Sequence, residues 1–230
     1  MDARIVRITL IEIATAVVIV LALAGILLVL SIPMGVHSRM IANQIQAVGE
    51  LRKIVVEEVA WKNGDFDLNG RADYWTRDLA ALHCGWDPTG RPRARIDRDL
   101  ALADAEPARD YPELGRPSRE TIPKFQGVAV QPKQCYAYQA MSADPDGKSY
   151  VEAGAPRPAA KNLPAAPCTN SSRFGFTAYP AGYQTAGVLV FVVGEDGVVW
   201  QNDIEESYPI CSWKPAHVGT ARLGWARAGL

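Results

Sequence analysis

Apolar residues fall along this chain in three successive patterns. From Ile13 to Ile32 (IATAVVIVLALAGILLVLSI) they are nearly unbroken, with Thr15 and Ser31 the only polar side chains and no charge. At about 1.5 Å of rise per residue, such a run spans roughly 30 Å as a helix, the thickness of a bilayer's hydrocarbon core. It is longer than the roughly 7–15 apolar residues of a cleaved signal peptide. The pattern therefore predicts a retained, single-pass transmembrane helix over residues 13–32. Arg4 and Arg7 precede it, which places a short leader, residues 1–12, on the cytoplasmic side.

The second pattern follows Pro33-Met34-Gly35. Over residues 36–60 apolar side chains recur at Met40/Ile41, Ile45, Val48, Leu51/Val55 and Val59, with Gln44, Gln46, Glu50, Arg52, Lys53 and Glu57 between them. That is helical spacing with one apolar stripe. The spacing predicts an amphipathic extension of the same helix, ending at Lys62-Asn63-Gly64 and lying against the next domain, residues 61–230.

The third pattern is strand-like. Gln134–Met141 alternates and meets the turn Asp144-Pro145-Asp146-Gly147. Arg173–Tyr179 reads as a strand. Gly187–Val193 is strongly apolar, and Gly194-Glu195-Asp196-Gly197 returns the chain into Val198–Gln201, a β-hairpin. Tyr74–Leu82 reads as a short helix or turn, and Asp97–Ala105 holds a short helix. The rest of 84–132 and 153–167 is rich in Pro, Gly or Ala and predicts loops. The fold class is α+β: a long N-terminal helix, half transmembrane, packed on a C-terminal antiparallel sheet with a loop-rich insertion.

Composition adds limits. A net charge of −1 with scattered Lys and Arg argues against a nucleic-acid partner. With the domain outside the cytoplasm, Cys84, Cys135, Cys168 and Cys211 predict two disulfides. Cys84–Cys135 and Cys168–Cys211 each bracket a compact piece, although spacing leaves all three connectivities open. No CxxC pair is present, so zinc is disfavoured. Asp65, Asp67, Asn69, Arg71 (through its carbonyl) and Asp73, with Gly70 at the sharp turn, match the first nine positions of a Ca²⁺ loop. Thr76 stands where the bidentate Glu belongs. The other reading is an Asx-rich turn that caps a helix from Tyr74. No nucleophile, metalloprotease or nucleotide-binding motif is present, so the chain does not read as an enzyme. The acidic pairs Glu57-Glu58 and Glu205-Glu206 read as solvated faces.

Ile8-Thr9-Leu10-Ile11-Glu12, directly before the apolar run, resembles the FTLIE segment of type IV pilins and pseudopilins. That family joins a basic leader, this motif, a long helix with an acid near its start, and a C-terminal antiparallel sheet. The resemblance implies a structural subunit of a bacterial cell-envelope apparatus in the inner membrane, with membrane lipid and other pilin-like subunits as partners. It implies assembly roles for Thr9 and Glu12, the latter neutralising a neighbour's N-terminal amine. At the leader junction the chain departs from the family, with Arg7 where Gly stands and Ile8 where Phe stands. A second resemblance covers roughly residues 65–82 and 134–203, including Asn69-Gly70, Tyr74-Trp75-Thr76, Asp78-Leu79, Gly175-Phe176-Thr177-Ala178-Tyr179, Phe191-Val192 and Asp196-Gly197. These regions are similar to uncharacterised secreted bacterial proteins and planctomycete-type pilin-like proteins. The alternative function is a membrane-anchored extracytoplasmic binding module.

Overall fold

The computed structural model describes residues 3–67, 70–85, 87, 89, 91–107, 125, 127–144, 146–151, 169–210 and 224–229, with the side chains of 3–11 and 28–34 excepted. The chain divides into two compact units, Met1–Ile41 and Ala42–Leu230.

One helix, α1, runs over Ala3–Gly64. In the first unit every described side chain from Glu12 to Leu27 is exposed. Among the described residues no helix is long and apolar enough to cross a membrane. This corrects the expectation of a half-transmembrane helix.

In the second unit α1 buries one seam: Ala47, Val48, Leu51, Ile54, Glu58 and Trp61. These are helical steps of three and four, so they share a face. The seam is rotated from the expected stripe, because Ile41, Ile45 and Val59 are exposed. The helix stops where Asp65 takes a left-handed φ of 45°, the usual way a C-terminus is closed. Gly64 is needed there: a Cβ would strike the Phe66 ring.

The segment after the helix is not helical at Tyr74. Strand β1 (Tyr74–Trp75) pairs antiparallel with β3 (Thr169–Asn170), and a 3-10 turn follows at Ala80–His83. Helix α2 (Arg98–Leu102) starts where Asp97 accepts the Leu100 N–H at 2.9 Å, an N-cap. Four more strands follow in a meander: β2 (Tyr136–Ala140), β4 (Gly175–Pro180), β5 (Val190–Gly194) and β6 (Val199–Asn202). With β7 (Ala226–Arg227) they form an antiparallel sheet ordered β2-β4-β5-β6-β7. The β5–β6 hairpin pairs Val193 with Val199. Its turn closes with Gly197 N–H to the Gly194 carbonyl at 3.0 Å, Gly197 lying at a φ of 68°.

Alternation along β5 divides the interior. Phe191 and Val193 join Tyr136, Tyr138, Phe174, Phe176 and the α1 seam in the main core. Val190 and Val192 join Met141, Tyr150 and Ile210 in a second, smaller one. A strand buried on both faces reads as a continuous apolar run, which is why Val188–Val193 shows no polar alternation. Asn43 Nδ2 donates to the Ala186 carbonyl at 2.9 Å, tying α1 to the loop ahead of β5.

Candidate functional site

The first candidate is the exposed part of α1. Glu12 is exposed, and no Asp, Glu, Lys or Arg follows it before Arg39. Beyond it Ile13, Val17, Val18, Ile19, Val20, Leu21, Leu23, Ile26 and Leu27 are each 51–67% exposed. They lie all around the helix rather than on one face. A soluble helix normally confines such residues to a buried stripe, and an apolar surface this continuous marks an interaction site. Arg7, Ile8 and Thr9 lie on α1, and their side chains fall outside those described.

The second candidate is the segment 65–73. Here the carboxylates do not converge. Asp65 turns back on its own loop, Oδ2 accepting the Gly70 N–H at 3.0 Å. Asp67 and Asp73 are buried, Arg71 is exposed, and Asn69 lies outside the described residues. Among the described residues no group of three or more carboxylate, imidazole or thiol side chains is placed to hold a metal ion. Asp65 here acts as a hydrogen-bonding turn residue, as in the competing reading.

The cysteines are also rearranged. Cys84 and Cys135 are both free, one buried and the other exposed, so the pairing expected between them is not made. The Cys84 thiol points at the Ala80 carbonyl, 3.6 Å away. Burial first, and the charge of Asp78 second, push its pKa up to about 12. It is therefore a packed thiol rather than a nucleophile. Cys168 and Cys211 lie outside the described residues.

A third cluster is one that sequence reasoning passed over. Glu58, Asp67, Asp73, Asp78 and Asp104 are all buried, and among the described residues no Lys, Arg or His is buried as deeply. Trp75 joins two of them. Its backbone N–H donates to Glu58 Oε2 at 3.0 Å and its indole N–H to Asp78 Oδ1 at 3.2 Å. Asp78 Oδ1 also accepts the Ala81 N–H at 3.0 Å. Asp104 Oδ2 accepts the Leu79 and Ala80 N–H groups at 2.7 and 2.8 Å, and Oδ1 accepts that of Glu106 at 3.0 Å. Glu57, next to Glu58 in sequence, instead pairs with Arg95 at 2.5 Å. A signal for Glu58 did exist: it stands four residues beyond Ile54 and three before Trp61, on the seam itself.

A surface charge cluster completes the picture. Lys133 Nζ lies 2.7 Å from Glu50 and 2.8 Å from Asp97, and Lys53 Nζ is 2.7 Å from Asp97. It ties α1 to the start of α2 and to the approach to β2. The two ammonium groups and the α2 cap hold the Asp97 carboxyl well below the usual carboxylate range, against the opposing effect of burial.

A family described as "Protein of unknown function (DUF2950)" matches residues 169–210, the stretch carrying β3 to β6. No curated protein and no solved structure matches the chain.

Proposed function

We propose that this chain is a structural, pilin-like subunit of a bacterial cell-envelope apparatus, assembled through the N-terminal part of α1. The observation that carries this reading is the sleeve of apolar side chains from Ile13 to Leu27, each large one more than half exposed. At about 25 cal/mol per Å² of apolar surface removed from water, covering such a sleeve is a strong drive to association. Identical helices supply a matching surface, because each brings the same sleeve. Glu12 is the one charge at its start, and a neighbour's N-terminal amine is a partner of the right sign. The Thr9-Leu10-Ile11-Glu12 segment, similar to that of pilins, supports the same reading.

The test is cross-linking of the full-length protein with Val17→Cys in a Cys135→Ser background. Oxidation should give a dimer, and a homobifunctional reagent a ladder of higher multimers. Glu12→Ala should weaken the ladder and Leu21→Glu should abolish it. A chain that stays monomeric under both treatments, and sediments as Leu21→Glu does, would overturn the proposal.

A further inference from the structure

The buried acids around Trp75 are used by nothing described so far, and their geometry is unusual in two respects. The interior of the second unit holds five carboxylates and, among the described residues, no equally buried base. In addition, Glu58 is completely buried yet only half bonded: Oε2 takes the Trp75 N–H, while Oε1 is buried without a hydrogen-bond partner. Ionised, that oxygen would carry charge into the core that holds Trp61 and Trp75. Such an arrangement strongly disfavours the anion. Asp104 is different. Its oxygens take three N–H groups, but Asp78 takes the next N–H of the same turn, so two carboxylates compete at one end of the Ala80–His83 turn. Burial and the charge of Asp78 disfavour the Asp104 anion, while its three N–H donors favour it.

We propose that Glu58 is the acid of a proton-operated latch, which fastens the end of α1 to β1 and, through Trp75, to the Ala80–His83 turn while Glu58 is protonated and loosens when it ionises. Trp75 is the bolt. One of its N–H groups reaches the acid on α1 and the other reaches Asp78 at the turn.

The charged and titratable surroundings are consistent with this. Burial raises the Glu58 pKa most, the Trp75 N–H offsets part of this, and the charge of Asp73, ahead of β1, raises it further. Lys62, one turn along α1, is engaged elsewhere, its Nζ donating to the Ser171 carbonyl at 2.7 Å and lying over the Tyr74 ring. Glu57 is held by Arg95. Arg71 and Arg77 lie on the connecting segment, neither of them buried. At the turn, the charge of Asp78 acts on both Asp104 and the Cys84 thiol, and His83 Nδ1 is 2.8 Å from the Ile96 carbonyl. From β2, Tyr138 borders Asp104 through the backbone. Burial, then Asp78, pushes the Asp104 pKa up to about 7. Both shifts are upward, so the folded state binds more protons than the unfolded chain. The stabilisation is complete below the ordinary carboxylate range and is lost as pH rises towards 7 and beyond.

The experiment is urea unfolding of the full-length chain from pH 4.5 to 8.5, followed by tryptophan emission. The unfolding constant should rise with pH, approaching tenfold per pH unit for each proton released. Glu58→Gln should remove one proton from that slope and be more stable than the wild type at pH 8. Asp104→Asn, which leaves the Glu58–Trp75 contact in place, should keep the Glu58 part of that slope. A wild-type constant that does not rise over this range, or a slope unchanged in Glu58→Gln, would overturn the latch. Should Asp104→Asn not fold, infrared difference spectra of the wild type provide the second measurement. A protonated-carboxyl band should be present at pH 5.5, weaken as pH rises to 8.5 and be reduced in Glu58→Gln. Its absence from the folded protein would equally overturn the proposal.

Discussion

Asp97 shows how one side chain can serve three elements. It caps α2 through the Leu100 N–H and receives Lys53 from α1 and Lys133 from the approach to β2. Its side chain is 42% exposed, so solvent screens the two ion pairs and the cap is the firmer part. Asp97→Asn, which keeps a capping oxygen, should cost less than about 0.5 kcal/mol, while Asp97→Ala should cost about 1 kcal/mol. Equal losses in chemical denaturation would show that the charges, not the cap, carry the effect. Because its folded pKa is depressed, the contribution of Asp97 is present above the ordinary Asp value and is lost as pH falls below it. Asp97 was legible in the sequence as the start of a short helix, but its ion partners were not. Lys53 and Lys133 are 44 and 36 residues away, and only the tertiary fold makes them neighbours.

At the scale of elements, α1 carries two kinds of apolar residue within a few turns. Leu51 is wholly buried, whereas Val56 is 64% exposed. Leu51→Ala should therefore cost about 2–5 kcal/mol, while Val56→Ala should stay within about 0.5 kcal/mol. Comparable losses at both positions, read from denaturation midpoints, would mean that the seam has been placed on the wrong side of the helix. The length of the helix and its end at Gly64 could be read from the sequence, as could the β5–β6 hairpin with its Gly197 turn. The phase of the seam could not. Val48 and Leu51 fit the expected stripe, but Glu58 sits on the buried face and Val59 on the wet one, because tertiary contacts at Trp75 outweigh hydropathy. The two-residue strands β1, β3 and β7 are too short to carry an alternation signal, and the pairing of Tyr74 with Asn170 joins residues nearly a hundred positions apart.

For the whole molecule, the two classes of acid act in opposite directions. Protonating Asp97 weakens the fold on the acid side, and ionising Glu58 and Asp104 weakens it as pH rises towards 7. The melting temperature should thus peak in mildly acidic buffer, at about pH 5, and decline on both sides. A peak above about pH 8 in a thermal scan across acid and alkaline buffers would contradict the assignment of the interior acids. The sequence could count carboxylates but not tell buried from solvated. Aspartates in a turn and a Glu-Glu pair on a helix look like solvent-facing residues until the chain folds over them. The same limit affected the Asp65–Asp73 segment, whose spacing alone does not tell that Asp67 and Asp73 are buried and Arg71 exposed.

The margins of the five-stranded sheet bear on how copies of this protein can meet. Along the outer side of β2, Ala103–Ala105 runs beside the strand: the Tyr138 N–H reaches the Ala103 carbonyl at 2.9 Å, and the Ala105 N–H reaches the Tyr138 carbonyl at 2.8 Å. On the opposite side β7 is two residues long, with Arg227 exposed. An edge that is already hydrogen-bonded, or that is very short and carries a charge, is a poor template for another chain's strand. Strand-to-strand polymerisation, the route by which antiparallel sheets misassemble, is therefore blocked on one side and discouraged on the other. At the high local concentration a helix-driven assembly would impose, the sheets can lie side by side without fusing into a continuous β-structure.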